Sequence, residues 1–242
     1  MQDLRVFNVA RGDIRLTGPD TAAMAANTRA AYERWAPLYP PFPHNPLMRA
    51  EQAAMLGLWP DVRGRCVLDL ACGSGRYSQL LREHCAGQVV ALDDCAPMLA
   101  QVSGADRVRG TMMSLPFASE TFDAVVCGLA IGHAIEIASW MAEVARVLKK
   151  NGLLLYSDFH PAAARAGLPR SFKDQQDRQV TVPHSRHELA DQLQSAAAAK
   201  LTVEAVREVR AGMELNEAFR QSADFYRRWH GLPLVLIVRA RK

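Results

Sequence analysis

The sequence predicts an α/β fold built on a parallel sheet, and three observations carry that expectation. From residue 65 onward, strand-like runs alternate with helix-like ones, a pattern that implies right-handed crossovers. The stretch Val67-Leu68-Asp69-Leu70-Ala71-Cys72-Gly73-Ser74-Gly75-Arg76-Tyr77 reads as a buried strand, a tight glycine turn and a helix start. The chain of 242 residues is 49% hydrophobic and 22% charged, which argues for a packed core and against global disorder.

Taken in order, Arg5–Val9 is a candidate short strand, and residues 20–35 read as a helix with Asp20 as its N-cap. The run Pro37-Leu38-Tyr39-Pro40-Pro41-Phe42-Pro43-His44-Asn45-Pro46 cannot be helical, because each proline lacks an N–H and restricts the residue before it. A second helix is expected over 47–58. Strands are expected at 66–71, 88–93, 107–110, 122–128 and 151–158, with helices over 75–85, 96–102 and 136–149 between them. Residues 160–184 read as polar and irregular, and 185–199 as a helix. Strands at 201–210 and 233–240 then flank a helical segment over 212–230, which fits an antiparallel hairpin added at a sheet edge. In domain terms, residues 1–60 form a lid or cap and 61–242 the core, with an acceptor-pocket insert at 160–184 and a further insert at 212–230.

Several functions are disfavoured by composition. The net charge is only +4, and no basic cluster suggests a nucleic-acid surface. No apolar run approaches the roughly 20 residues that span a bilayer, and residues 1–17 lack a signal peptide's apolar middle. The expectation is a cytoplasmic protein. The five cysteines contain no C-x-x-C pair, so neither a metal site nor a disulfide framework is expected.

The glycine turn points to a ligand. Gly73 and Gly75 let backbone approach it without Cβ interference, and the following helix start offers free N–H groups. A pyrophosphate-binding turn would read G-x-G-x-x-G/A, whereas here the sixth position is Ser78. Asp69, just upstream, would repel a pyrophosphate and suit the ammonium of a methionine moiety. Asp93 closes the next strand, where it can accept both ribose hydroxyls; strand alternation points its neighbour Asp94 elsewhere. Acid, glycine turn and second acid together suit an adenosyl cofactor.

These segments resemble the class I S-adenosylmethionine-dependent methyltransferases of the ubiquinone/menaquinone-biosynthesis-like subgroup. The matching stretches are VLDLACGSGRY at 67–77, ALDDCAPML at 91–99, GTMMSLPFASETFDAVVCGLAIGH at 110–133 and RVLKKNGLLLYSD at 146–158. The resemblance implies a Rossmann-like, seven-stranded, mostly parallel sheet with one antiparallel edge strand. It implies S-adenosyl-L-methionine as cofactor, with Gly73 and Gly75 at the methionine part and Asp93 at the ribose; Asp69, Ala71, Asp94 and Met98 are further candidate cofactor contacts. Met112 and Met113 are placed at the adenine, and Cys127 and Gly128 at the methionine side. Thr111 stands where the family often has an acid that contacts the adenine amino group, so the Thr111 hydroxyl or the Met112 N–H is left to serve the adenine instead. Tyr32–Tyr39 resembles the family's Y-D-x-x-A-x-x-Y-D motif, which implies that Tyr39 reaches the cofactor carboxylate.

Methyl transfer needs an aligned nucleophile, exclusion of water and, for a weakly acidic acceptor, a proton acceptor. His133, after the fourth strand, is a candidate base. Asp158 and His160 alternate at the end of the fifth strand and could share one face as a proton-accepting pair. Tyr32, Trp35, His44, Arg170, Phe172 and His184 are candidate acceptor contacts. The expected function is methylation of a small-molecule intermediate at oxygen or carbon. The alternatives are a carrier-protein-directed carboxyl O-methyltransferase, with Arg165, Arg170 and Arg186 facing an acidic acyl carrier protein, and a non-catalytic cofactor-binding protein. Monomer and homodimer both remain open.

Overall fold

The computed structural model describes residues 19–212 and 229–242. The expected strand at Arg5–Val9 and nearly all of the 212–230 segment lie outside these residues.

Strands β1 (Cys66–Leu70), β2 (Gln88–Asp93), β3 (Asp106–Arg109), β4 (Phe122–Cys127) and β5 (Leu148–Phe159) pair in parallel in the order β3-β2-β1-β4-β5. Two short strands, β6 (Ser171–Lys173) and β7 (Gln179–Thr181), form a separate antiparallel hairpin. The expected late hairpin is β8 (Thr202–Arg210) and β9 (Pro233–Arg241), which extends the large sheet to seven strands, with β9 antiparallel between β5 and β8.

Alternation along each strand divides the core into two layers. Leu68, Leu70, Val125, Cys127, Leu154 and Tyr156 face helices α5 (Ile137–Val147) and α7 (Leu189–Ala198). Val67, Ala124, Val126, Leu155 and Ile237 face α2 (Pro46–Leu56) and α3 (Arg76–Glu83). The chain order reverses at β1 and β4, the switch point where doubly wound sheets bind ligands beyond their strand ends. The register pairs Leu70 with Leu92 and Asp69 with Val126, so β1, β2 and β4 end at one rim.

Two segments differ from expectation. Residues 160–184 are not irregular: His160 caps the short helix α6 (Pro161–Arg165), and the β6–β7 hairpin follows. Its strands are three residues long and largely polar, too short to register as alternation. The 1–60 cap also divides. α1 (Pro19–Trp35) packs toward the hairpin through Ala31, Phe172 and Val182. α2 instead lies on the sheet, with Met48, Glu51 and Met55 buried. Asn45 caps α2 by accepting from the Met48 N–H at 2.9 Å, and Pro46 fills the first helical position.

Candidate active site

The chain leaves β1 through Ala71 and Gly73, both with φ of 54°, and enters α3 from Gly75 with φ of 90°. This left-handed path favours glycine. The two glycines serve different ends. A Cβ on Gly75 would press on Val102 at 3.0 Å, whereas one on Gly73 would meet nothing within 4 Å. Gly73 is therefore the point where backbone faces open space.

Asp93 organises that turn. Its Oδ2 accepts from the Gly73 N–H and its Oδ1 from the Cys95 N–H, each at 2.8 Å. Each oxygen keeps a second lone pair for a ligand donor. Asp69 accepts from the Ser78 hydroxyl at 2.6 Å and so ties β1 to α3. Burial pushes Asp69 up to about 7 and Asp93 up to about 6. Ser74 donates to the Pro40 carbonyl at 3.1 Å, fastening the proline-rich loop over the turn.

A cavity of about 580 Å³ opens from this turn, within the size range of small-ligand sites. Its wall carries Tyr39, Asp69, Ala71, Gly73, Asp93, Asp94, Met98, Thr111, Met112, Met113 and Gly128 from the expected cofactor set, and Tyr32, Trp35, His133 and Arg170 from the expected acceptor set. Gly75 and Cys127 lie off the wall: Gly75 packs on Val102, and Cys127 is fully buried in the core. The Thr111 hydroxyl oxygen accepts from the Met113 N–H at 3.2 Å.

His44, Phe172 and His184 stand behind the wall. Phe172 lies flat on Trp35, with ring centroids 4.3 Å apart, and His44 meets Tyr39 edge-on at 5.0 Å. His184 neighbours Phe159. Together, Tyr32 and Trp35 of α1 and Tyr39 just beyond it form an aromatic roof that the hairpin supports.

The expected Asp158–His160 pair does not form. His160 Nδ1 accepts from the Ala162 N–H at 3.1 Å, and its Nε2 lies 3.2 Å from Glu208, off the cavity wall. Asp158 forms an ion pair with Arg170. His133 does line the cavity, but its Nε2 receives Arg170 Nη1 at 2.7 Å and lies 2.9 Å from the Tyr32 hydroxyl. Burial, helped by the Arg170 charge, drives its pKa well below the ordinary value. The expected base therefore has neither a free lone pair nor basicity near neutral pH.

Two residues escaped the sequence reading. Arg76 lines the cavity and is held by Glu51 at 2.8 Å; Glu51 also accepts from Tyr77 at 2.7 Å and from Ser157 at 2.5 Å. The detectable signal was Glu51 itself, a carboxylate on the Met48–Met55 stripe of α2. Leu129, with φ of 54°, also went unnoticed; its N–H donates to Ser157 and its carbonyl accepts from Arg170.

The wall leaves no slack at Gly128. A Cβ there would sit 2.1 Å from the Tyr77 ring, which Glu51 and Trp59 hold in place. Gly128→Ala should destabilise the chain by about 1–3 kcal/mol, the cost of overpacking, read as a lower midpoint in thermal or urea unfolding. An unchanged midpoint would contradict this packing.

Among the described residues no group of three or more His, Cys, Asp or Glu side chains could hold a metal, and no helix is long and apolar enough to cross a membrane.

S-adenosylmethionine fits these residues: a carboxylate with spare lone pairs faces the open side of Gly73, and the cavity continues from there under the aromatic roof. The Methyltransferase domain family (Methyltransf_11) matches residues 68–156. A demethylmenaquinone methyltransferase from Lactiplantibacillus plantarum is 39% identical over 101 residues, 37% of this chain and 43% of that protein. A malonyl-[acyl-carrier protein] O-methyltransferase from Enterobacter lignolyticus is 34% identical over 132 residues, 53% of this chain and 51% of that protein. The chain thus spans about half the length of these two curated relatives. A crystal structure of an S-adenosylmethionine-dependent methyltransferase from Mesorhizobium loti shares the fold, with a TM-score of 0.63 at 24% identity over 80% of this chain and 98% of that one. By motif order and domain match, residues 68–156 are a methyltransferase domain, set in a chain whose fold is that of the S-adenosylmethionine-dependent methyltransferase from Mesorhizobium loti.

Proposed function

We propose that this chain methylates a small biosynthetic intermediate at oxygen or carbon, using S-adenosylmethionine. One observation carries the reading: Asp93, locked to the Gly73 and Cys95 N–H groups, stands at the wall of a cavity that continues beneath Tyr32 and Trp35. When bound, the cofactor supplies a methyl group activated on a sulfonium sulfur.

The chain's residues divide the remaining work. Asp93 receives the ribose hydroxyls on its spare lone pairs, and Asp69 favours the methionine ammonium. Arg76, with only one guanidinium nitrogen committed to Glu51 and Gln52, meets the methionine carboxylate. Met98, Met112 and Met113 pack around the adenine. The aromatic roof excludes water and aligns the acceptor for in-line transfer.

Calorimetric titration with S-adenosylhomocysteine tests the cofactor half directly. Micromolar or tighter binding is expected, and its absence would end this reading.

The carrier-directed alternative draws on the malonyl-[acyl-carrier protein] relative. Its expected basic entrance is weak in this chain. Arg165 and Arg186 both pair with Glu188, and Arg170 is buried against Asp158. A small free acceptor is therefore favoured.

A further inference from the structure

The two arginines on the cavity wall each carry their own counter-charge. Arg76 pairs with Glu51 at 2.8 Å, and Arg170 pairs with Asp158. Both members of the second pair are buried, with side chains 5% and 9% exposed. Arg170 lines the cavity, whereas Asp158 lies off its wall. A ligand therefore meets the arginine but not the carboxylate that neutralises it.

The polar groups around Arg170 satisfy one another. Nη1 donates to the Leu129 carbonyl at 2.8 Å and lies 2.7 Å from His133 Nε2. The guanidinium also donates to the Tyr32 hydroxyl oxygen, and that hydroxyl stands 2.9 Å from the same Nε2. Only the buried Nε has no partner. The guanidinium carbon lies over the Phe159 ring, 4.5 Å from its centroid. Burial raises the Tyr32 pKa and lowers those of His133 and His184, so none of the three adds a charge near neutral pH. The adjoining wall is apolar: Leu168 and Pro169 lead into Arg170, Ile135 follows His133, and Phe159 follows Asp158.

This end of the cavity thus has polar groups but no net charge. A carboxylate placed here would find Arg170 already cancelled, and an ammonium would find no carboxylate on the wall. Either would give up its hydration without a counter-charge, which costs far more than burying a neutral hydroxyl or carbonyl.

We infer that Asp158 sets the charge of the methyl acceptor: by cancelling Arg170 from outside the cavity it restricts this end to an uncharged group, and loss of its negative charge opens the end to a carboxylate. The inference rests on the methyltransferase reading above. Asp158 acts through Arg170 and does not touch the acceptor. Asparagine in its place keeps the shape and an oxygen for Nη2 but leaves the guanidinium charge unanswered.

Probes that share a skeleton and differ in charge separate the two effects. Naphthylmethanol, naphthoic acid and naphthylmethylamine form one trio, and 3-phenylpropanol, 3-phenylpropanoic acid and 3-phenylpropylamine a second. Each is titrated by calorimetry near neutral pH into the intact chain saturated with S-adenosylhomocysteine. In the wild type the alcohol should bind at least about tenfold more tightly than both charged partners in at least one trio. In Asp158→Asn the acid should gain at least about tenfold relative to the alcohol, and the amine should gain nothing. A merely structural role would weaken all three together. Asp158→Asn leaves a buried cation unpaired and so costs stability; Asp158→Leu with Arg170→Met removes both charges at once, a replacement that buried ion pairs often tolerate. That paired variant should keep the wild-type preference for the alcohol. The inference is overturned if the alcohol outbinds both partners in neither trio, if folded Asp158→Asn shows no gain for the acid, or if the paired variant binds the acid as tightly as the alcohol. Where Asp158→Asn does not fold, the other two proteins decide. Failure of S-adenosylhomocysteine to bind would instead end the methyltransferase reading, and the same trios on the ligand-free protein would still decide the charge preference of the pocket.

Discussion

Replacing Asp93 with alanine is expected to weaken S-adenosylhomocysteine binding by at least about a hundredfold. Two losses combine. The ribose hydroxyls lose a charged acceptor, worth about 1.5–3 kcal/mol per hydrogen bond, and about 1.4 kcal/mol is a tenfold change in affinity. The Gly73 and Cys95 N–H groups also lose the carboxylate that fixes them at 2.8 Å, so the turn no longer arrives preorganised. Asp93→Asn is no safe substitute, because its amide NH2 would confront one of those two donors. The same carboxylate gives binding a pH signature. Burial holds it at about 6, above the ordinary value of 3.8, so a measurable fraction is protonated just below neutrality. Ribose hydroxyls donate to the ionised form, so binding favours that form and releases a proton. Affinity should be flat above about pH 7 and fall toward tenfold per pH unit below about pH 6. Asp69, pushed up to about 7, adds an earlier decline if it engages the ammonium. Calorimetry from pH 5.5 to 8 reads both, and the Asp93 variant should lose the lower limb alone. Unaltered affinity in that variant would contradict the assignment of Asp93.

Much of the cavity rim around the glycine turn was legible in the sequence because local chemistry dictates it. A glycine turn after a buried strand, with an acid on each of two neighbouring strands, leaves few arrangements open, and the register of β1 and β2 brings those acids to one edge. The aromatic roof was legible by composition alone, since Tyr32, Trp35 and Tyr39 crowd a short segment that proline keeps from continuing as helix. The acceptor end was opaque for the opposite reason. Asp158 and His160 alternate as expected along β5, but partners from distant segments decide what they do: Arg170 from the insert takes Asp158, and Glu208 from β8 meets His160. His133 likewise lost its expected role to Arg170, 37 residues further along the chain. Such pairings depend on how an insert folds back, and no local pattern encodes that. The same holds for the hairpin inside residues 160–184, whose strands exist because α1 packs on them through Ala31 and Phe172.

Glu51→Ala is expected to lower stability by about 3–5 kcal/mol, because removing one partner of a buried ion pair leaves the other charge uncompensated. Arg76, whose side chain is 8% exposed, would be that charge, and Tyr77 and Ser157 would each lose the acceptor of their hydroxyl. At about 2–4 °C per kcal/mol for a chain near this size, the melting point should fall by roughly 10 °C. The damage would also reach the cavity by two routes. Arg76 lines it directly. The Leu129 peptide borders it in a left-handed conformation, held by Ser157 on its N–H and Arg170 on its carbonyl, and Ser157 is itself oriented by Glu51. Glu51→Gln separates stability from site geometry, since it keeps the size and one acceptor oxygen while releasing Arg76 from its counter-charge. If Glu51 only braces the fold, affinities for S-adenosylhomocysteine and for 5′-methylthioadenosine, which lacks the amino-acid end, should change together. If it aims Arg76 at the methionine carboxylate, S-adenosylhomocysteine affinity should shift by several-fold while 5′-methylthioadenosine affinity stays put. Equal shifts in the two ligands would confine Glu51 to a structural role and leave Arg76 without a demonstrated ligand contact.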